Sequence, residues 1–312
     1  MFLSDYLSAS HHLEEAELLN RLILALAESA IHIADLASQN GLGAYALGAL
    51  AGAENQDGDS QKQLDIIADE HIADALQSAG ASHYFSEERD EALFFDEKAA
   101  LAVAADPLDG SSNIDTNLTI GTIFSIFKSA DIQKGLPPKG RAQKAAGLFI
   151  YGPQTILLVS FGDEVKAFAL NHDKKFEAMA WDVSIPQGAS EFAINASNAH
   201  RWQAPIKAYI ESLISASSNM RWLGSLVADA FRIFRRGGIF LYPADSRKTY
   251  EQGRLRLVYE ANPIAFLVEA AGGDATNGKM AILDIDVEHI HQRVPLIFGS
   301  RDQIKEFLTF TD

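Results

Sequence analysis

Apolar side chains recur at helical spacing over residues 13–38, where Leu19, Leu22, Ile23, Leu26, Ala30, Ile33 and Ala37 share one face, and this period predicts an amphipathic helix. Gly41 and Gly43 are expected to end it. Residues 51–60, polar and interrupted by glycine, predict a loop with no core to bury. A second amphipathic helix is expected over 61–79, with Leu64, Ile67, His71 or Ile72, and Leu76 inward and Asp65 and Asp69 one turn apart. The pattern then shortens. Residues 101–105 read as a buried strand, and further strands are expected over 121–127, 147–151, 155–161 and 165–170. Gly152-Pro153-Gln154 and Gly162-Asp163-Glu164 turn the chain between them, so an antiparallel meander is predicted. Residues 132–141, with Pro137-Pro138 and Gly140, read as loop.

Beyond Trp181 helices alternate with strands. Helices are expected over 205–214, 224–236, 262–271 and 302–308, and strands over 238–242 and 294–298. This change of pattern divides the chain into residues 1–182 and residues 183–312.

The strand at 101–105 runs into Asp106-Pro107-Leu108-Asp109-Gly110-Ser111-Ser112. Pro107 stiffens the turn and pushes Asp106 towards extended backbone, so the two carboxylates sit on a firm mount. Carboxylate oxygens are what hard divalent cations such as magnesium take as ligands. Gly110 lets the backbone approach a ligand, and the N–H groups and hydroxyls of Ser111 and Ser112 can donate to an anion. A second run, Gly253 to Pro263, places Arg254, Arg256 and Val258 on one face if it is a strand, with Glu260 at its end and Asn262-Pro263 opening a helix. Two guanidiniums there suit phosphate, and the carboxylate suits a cation.

Composition narrows the partners. The 312 residues are 47% hydrophobic and 22% charged, enough for two domains, with a net charge of −16. That excess argues against nucleic acid or an anionic membrane as partner. No cysteine is present, which removes disulfides, thiolate catalysis and cysteine zinc sites. The first thirty residues carry Glu14, Glu15, Glu17 and Glu28 and no long apolar block, so a cytoplasmic protein is expected. The histidine pairs His11-His12 and His289/His291 lack a third ligand at metal spacing and are assigned to solvent or packing.

Asp65, then Glu87-Glu88, then Asp106-Pro107-Leu108-Asp109-Gly110-Ser111, resembles in order and content the lithium-sensitive, magnesium-dependent phosphatase superfamily. Ser112-Asn113-Ile114-Asp115, Ile120-Gly121-Thr122-Ile123-Phe124 and the Gly253–Pro263 run resemble the class I fructose-1,6-bisphosphatases in particular, and the likeness extends from about Leu18 to Phe307. It implies an α+β fold, a layered α-β-α-β-α sandwich of two domains. It implies hydrolysis of the 1-phosphate of fructose 1,6-bisphosphate with two or three Mg2+ ions, or Mn2+ in their place. By it, Glu87, Asp106, Asp109, Glu260 and the carbonyl of Leu108 are metal ligands, with Asp59 in a mobile loop as a further one. Asp65 and Glu88 orient and deprotonate the attacking water. Asp109, Gly110, Ser111, Ser112, Asn195, Arg221, Trp222, Tyr242, Arg254 and Arg256 contact the substrate, Arg221 in a neighbouring subunit's site. A homodimer or homotetramer is implied.

Departures bear on specificity. Trp222 stands where the family usually has tyrosine, Arg254 where lysine is commonest, and Asn198 where animal members have tyrosine. A sedoheptulose-1,7-bisphosphatase, or an enzyme serving both sugars, is the close alternative; a catalytically silent metal-binding protein is the remote one. At the AMP pocket of animal members this chain has Leu19 and Ala100-Leu101 in place of a threonine and a Lys-Tyr pair, so weak or absent inhibition by AMP is expected.

Overall fold

Five layers stack in the order α-β-α-β-α, and each helix sits where its apolar stripe finds a sheet face. The computed structural model describes residues 1–9, 15–39, 50–54 and 60–311. The outer helical layer is α1 (Leu3–Ala9), α2 (Ala16–Ser38) and, after the backbone hairpin β1 (Leu50–Glu54) and β2 (Ser60–Lys62), α3 (Gln63–Ala79). Leu22, Ile23, Leu26, Leu64, Ile72 and Leu76 form its buried face.

The large sheet comprises β3 (His83–Ser86), β4 (Leu93–Phe94), β5 (Leu101–Asp109), β6 (Ile120–Lys128), β7 (Ala145–Tyr151), β8 (Thr155–Ser160), β9 (Val165–Leu170) and β10 (Phe176–Ala178), in the order β10-β9-β8-β7-β6-β5-β3-β4. All its pairings are antiparallel except β3 with β5. Side chains alternate across a strand. Val103 and Ala105 therefore face the outer helices, whereas Ala102 and Ala104 pack with Phe85, Phe127 and Tyr259 on the other side.

The second sheet runs β12-β11-β13-β17-β15, from β11 (Glu191–Ile194), α4 (Ala204–Ser215), β12 (Asn219–Met220), α5 (Leu226–Arg236), β13 (Ile239–Tyr242), β14 (Leu255–Arg256), α6 (Asn262–Ala270), β15 (Gly273–Thr276), β16 (Arg293–Val294), β17 (Leu296–Ser300) and α7 (Arg301–Thr311). Between the sheets lie α5 and α6, packing Val227, Phe234, Ile264 and Leu267 against Ile123 and Leu148 of one and Phe240 and Phe298 of the other. On the far side α4 and α7 cover Phe192, Ile194 and Leu241. Leu19 and Leu101 are each 1% exposed in the outer core.

Several expectations need correction. Residues 51–60 are not all loop, because the backbone of Leu50–Glu54 pairs with Ser60–Lys62, a ladder that needs no apolar face to form. Gly41, Gly43, Asp59 and His11-His12 lie outside the described residues. The strand at 101 does not stop at Ala105 but continues to Asp109, with a register shift between Asp106 and Asp109. Pro107 has no N–H for the ladder, which is why a bulge falls there. The strand expected across 254–258 is only Leu255–Arg256, and Leu257–Ala261 form a π-helical turn. That turn runs straight into α6 with Ala261 already in helical backbone, so Asn262 is not a cap. Strands β3, β11 and β15 were not expected from the pattern; four residues are too few for alternation to stand out.

Candidate active site

Strand ends converge on one cavity of about 490 Å³ between the two sheets. Glu87 follows β3, where its N–H continues the parallel ladder to Ala105 O at 3.1 Å, so it comes to lie beside the acidic end of β5. Asp106 is buried in β5, and its Oδ1 accepts from Leu108 N at 3.0 Å across the bulge. Thr122 supports the bulge from β6 by donating to Pro107 O at 2.8 Å. The π-helical turn brings in Glu260, whose Oε2 accepts from Arg256 N at 2.5 Å. One oxygen each of Glu87, Asp106 and Glu260 lies within 4.8 Å of the others, which is the sole grouping of three or more candidate ligands among the described residues.

Like charges at this spacing cannot all ionise in a buried site without a cation. Burial, and then Glu87, Asp109 and Glu260, push Asp106 well above the usual carboxylate range. Burial, Glu87 and Asp109 do the same to Glu260, and Arg256, whose Nε is 3.5 Å from Glu87 Oε1, opposes this only in part. The donor set is all oxygen, with no thiolate or imidazole, and fits a hard divalent ion.

Asp109 is placed differently from these three. Its Oδ2 accepts from Ser225 Oγ at 3.2 Å and Val227 N at 2.9 Å, the open amino end of α5. Those bonds pull its pKa down, but burial outweighs them and holds it up to about 6. Asp65, in the first turn of α3, accepts from Lys62 N at 2.7 Å. Burial and then Glu88 hold Asp65 up to about 7. Glu88 is fastened by its N–H to Ser86 Oγ at 3.2 Å.

The rest of the cavity is polar. Leu108, Gly110, Ser111 and Ser112 line it beside the carboxylates. Gly110 has φ 76°, and a Cβ there would crowd Ser225 at 3.2 Å, so glycine is required at this close approach of the two halves. Asn195, Trp222, Tyr242 and Arg254 also line it, as does Arg256, which borders the carboxylates through Glu87 and Glu260. Trp222 stacks on Phe240 with centroids 5.8 Å apart, and Arg254 donates to Tyr242 Oη at 3.4 Å. Arg221 is exposed, donates to Met220 O at 2.9 Å and is not part of the cavity wall. His291, assigned to packing, bonds to Arg89 O at 3.0 Å and packs on Tyr259.

Sequence reasoning passed over Gly224, Ser225, Leu226, Asp229 and Phe240, which also line the cavity. A Gly-Ser pair directly before an amphipathic run is an N-cap signal, and it could have pointed to the amino end of α5.

Comparison with known proteins agrees with this geometry. The family described as "Fructose-1-6-bisphosphatase, N-terminal domain" matches residues 6–178, and "Fructose-1-6-bisphosphatase, C-terminal domain" matches residues 185–312. The class 1 fructose-1,6-bisphosphatase of Azorhizobium caulinodans is 47% identical over 299 residues, 91% of each chain. That of Sinorhizobium medicae is 48% identical over 296 residues, 91% of this chain and 84% of the relative. The crystal structure of Leishmania major fructose-1,6-bisphosphatase in holo form superposes with a TM-score of 0.93 at 30% identity, covering 99% of this chain and 98% of that one. Fold, cavity and likeness over nearly the whole length together show that this chain belongs to the class 1 fructose-1,6-bisphosphatase family.

Proposed function

We propose that this protein is a fructose-1,6-bisphosphatase that hydrolyses the 1-phosphate of fructose 1,6-bisphosphate to fructose 6-phosphate and phosphate, a cytoplasmic step of gluconeogenesis. The observation that carries the reading is the meeting of Glu87, Asp106 and Glu260 within 4.8 Å beside the Gly110-Ser111-Ser112 turn. Magnesium, or manganese in its place, supplies charge neutralisation of the phosphate and a lowered pKa for water when bound. Glu87, Asp106, Glu260, Asp109 and the Leu108 carbonyl hold two or three such ions. The backbone and hydroxyls of Gly110, Ser111 and Ser112 orient the 1-phosphate. Asp65 and Glu88 take the water's proton; Asp65, at about 7, is placed to accept it near neutrality. Arg254, Arg256, Tyr242, Trp222 and Asn195, which line the same cavity, receive the sugar and its second phosphate.

The catalytic carboxylates fall in residues 1–182, apart from Glu260, and the sugar contacts in residues 183–312, which is the division proposed for the two domains. A homo-oligomer is proposed as well. Arg221 directly follows the edge strand β12, in a stretch where Met220 and Leu223 are 46% and 48% exposed, a surface suited to a second copy. Inhibition by AMP is weak or absent, in keeping with the apolar Leu19 and Leu101. No described helix is long and apolar enough to cross a membrane.

The test is phosphate release from fructose 1,6-bisphosphate with magnesium and then with chelator, beside sedoheptulose 1,7-bisphosphate and monophosphates. Higher kcat/KM on the fructose ester, lost with chelator, is expected. Preference for the seven-carbon sugar would reassign the substrate, and metal-independent release would overturn the site.

A further inference from the structure

Asp229 is a buried carboxylate, 2% exposed, to which neither the metal cluster nor the sugar contacts assign a task. It lies in the first turn of α5 and reaches back over the helix's amino end. Its Oδ1 and Oδ2 accept from Leu223 N at 3.1 and 3.3 Å, and Oδ2 also accepts from Gly224 N at 3.2 Å. Those two amides belong to the short segment that carries Trp222 into the cavity. The same segment reaches the other half of the site, because Gly224 O accepts from Asn113 Nδ2 at 3.2 Å, in the 3-10 turn that follows Gly110. One residue further on, Ser225 donates to Asp109.

We propose that Asp229 is a positioning residue for substrate binding: it clamps the 222–224 segment, and so sets Trp222 against the sugar while tying the Asp109–Asn113 turn to the substrate half of the cavity. A buried carboxylate tolerates its place only if its oxygens are occupied, and here the hydrogen-bond partners are the two loop amides, with the charge of Arg232 on the same helix a lesser influence. The capping of α5 is already provided by Ser225, whose Oγ accepts from Ala228 N at 3.5 Å, so Asp229 acts on the segment before the helix. Gly224, with φ 76°, sets the left-handed bend of that segment, a backbone conformation that favours glycine.

The inference rests on the reading of the cavity as a sugar bisphosphate site, and the test separates the two. Wild type, D229A, D229S and D229N are compared for kcat and KM on fructose 1,6-bisphosphate at saturating magnesium, for melting temperature, and for the Trp222 emission obtained by subtracting the W222F spectrum. In D229A, KM rises about tenfold with kcat changed less than about threefold, the signature of lost binding and not of lost chemistry, and the Trp222 emission shifts to the red. D229N keeps an oxygen for the two amides and stays within about threefold of wild type in KM. D229S leaves a polar group in the buried position but is too short to hold both amides, reproduces the D229A pattern, and serves if D229A fails to fold. Unchanged KM and unchanged Trp222 emission in D229A or D229S, or a fall in kcat alone, overturns the proposal. Failure of wild type to release phosphate overturns the substrate reading instead, and the emission measurement still decides whether Asp229 holds Trp222.

Discussion

At the scale of single residues the site is an electrostatic problem that a cation solves. Asp106 is the most enclosed of the clustered carboxylates, and its pKa is raised by burial and by four acidic neighbours. Removing its charge removes both a ligand and a source of repulsion. D106N is therefore expected to lower metal-dependent turnover by at least ~10³-fold while the chelated protein melts at an equal or higher temperature than wild type. Phosphate-release kinetics and a thermal melt in chelator check both halves. A pH dependence follows from the neighbours. Asp65 at about 7 and Asp109 at about 6 hold protons in the folded chain that the unfolded chain, with carboxyls near ~4, has already given up. Their contribution to stability is complete below ~4 and is lost as the pH rises through 6 and 7. In chelator the melting temperature should fall across that window, and saturating magnesium should flatten the fall, because the bound form no longer prefers the protonated carboxylates. Equal slopes with and without magnesium would contradict the cluster as a cation site.

At the scale of elements, three local irregularities present the chemistry. The bulge at Pro107-Leu108 separates Asp106 from Asp109, the π-helical turn delivers Glu260, and the amino end of α5 receives Asp109. Each can be perturbed alone. S225A removes the N-cap of α5 and the hydroxyl on Asp109, and is expected to cost ~1 kcal/mol of stability and to raise the magnesium concentration for half-maximal activity. Denaturant melts and magnesium titration of activity read the two effects. The helices and the meander were legible from their periods, because 23 residues of α2 and 17 of α3 repeat the same face often enough to be seen. The π-helical turn was not. Alternation of Arg254, Arg256 and Val258 imitates a strand, and only the packing of Val258 and Tyr259 under β5, with Phe85 and Phe127, shows why the chain coils there.

At the scale of the whole molecule, the cavity exists because two sheets share one helical layer. Phe240 lies between that layer and the cavity, stacking on Phe298 at 4.9 Å and on Trp222 at 5.8 Å. F240A is expected to cost ~3–5 kcal/mol of unfolding free energy and also to raise KM, since the same ring supports the core and the aromatic wall. Chemical denaturation and steady-state kinetics test this together; a stability loss with wild-type KM would separate the two roles. The net charge of −16 repels a bisphosphate at long range. On the proposed reading, attraction is supplied at close quarters by Arg254 and Arg256 in the cavity wall and by the cation the carboxylates would hold.

The sequence by itself determined the residue types and their local mounts: an all-oxygen ligand set, a proline-stiffened turn beside hydroxyl donors, paired arginines, and apolar stripes sufficient for two sheets with helices. Those follow from covalent structure and short-range periodicity, which neighbours along the chain settle. Tertiary structure alone decided which carboxylates come close enough together to hold a cation. Glu87, Asp106 and Glu260 are brought together from three elements, while Asp109 turns to the amino end of α5 and Asp229 closes over the segment before it. The reason is physical: electrostatic repulsion and burial depend on distances of a few ångströms between groups far apart in the chain, and only the packed layers set those distances.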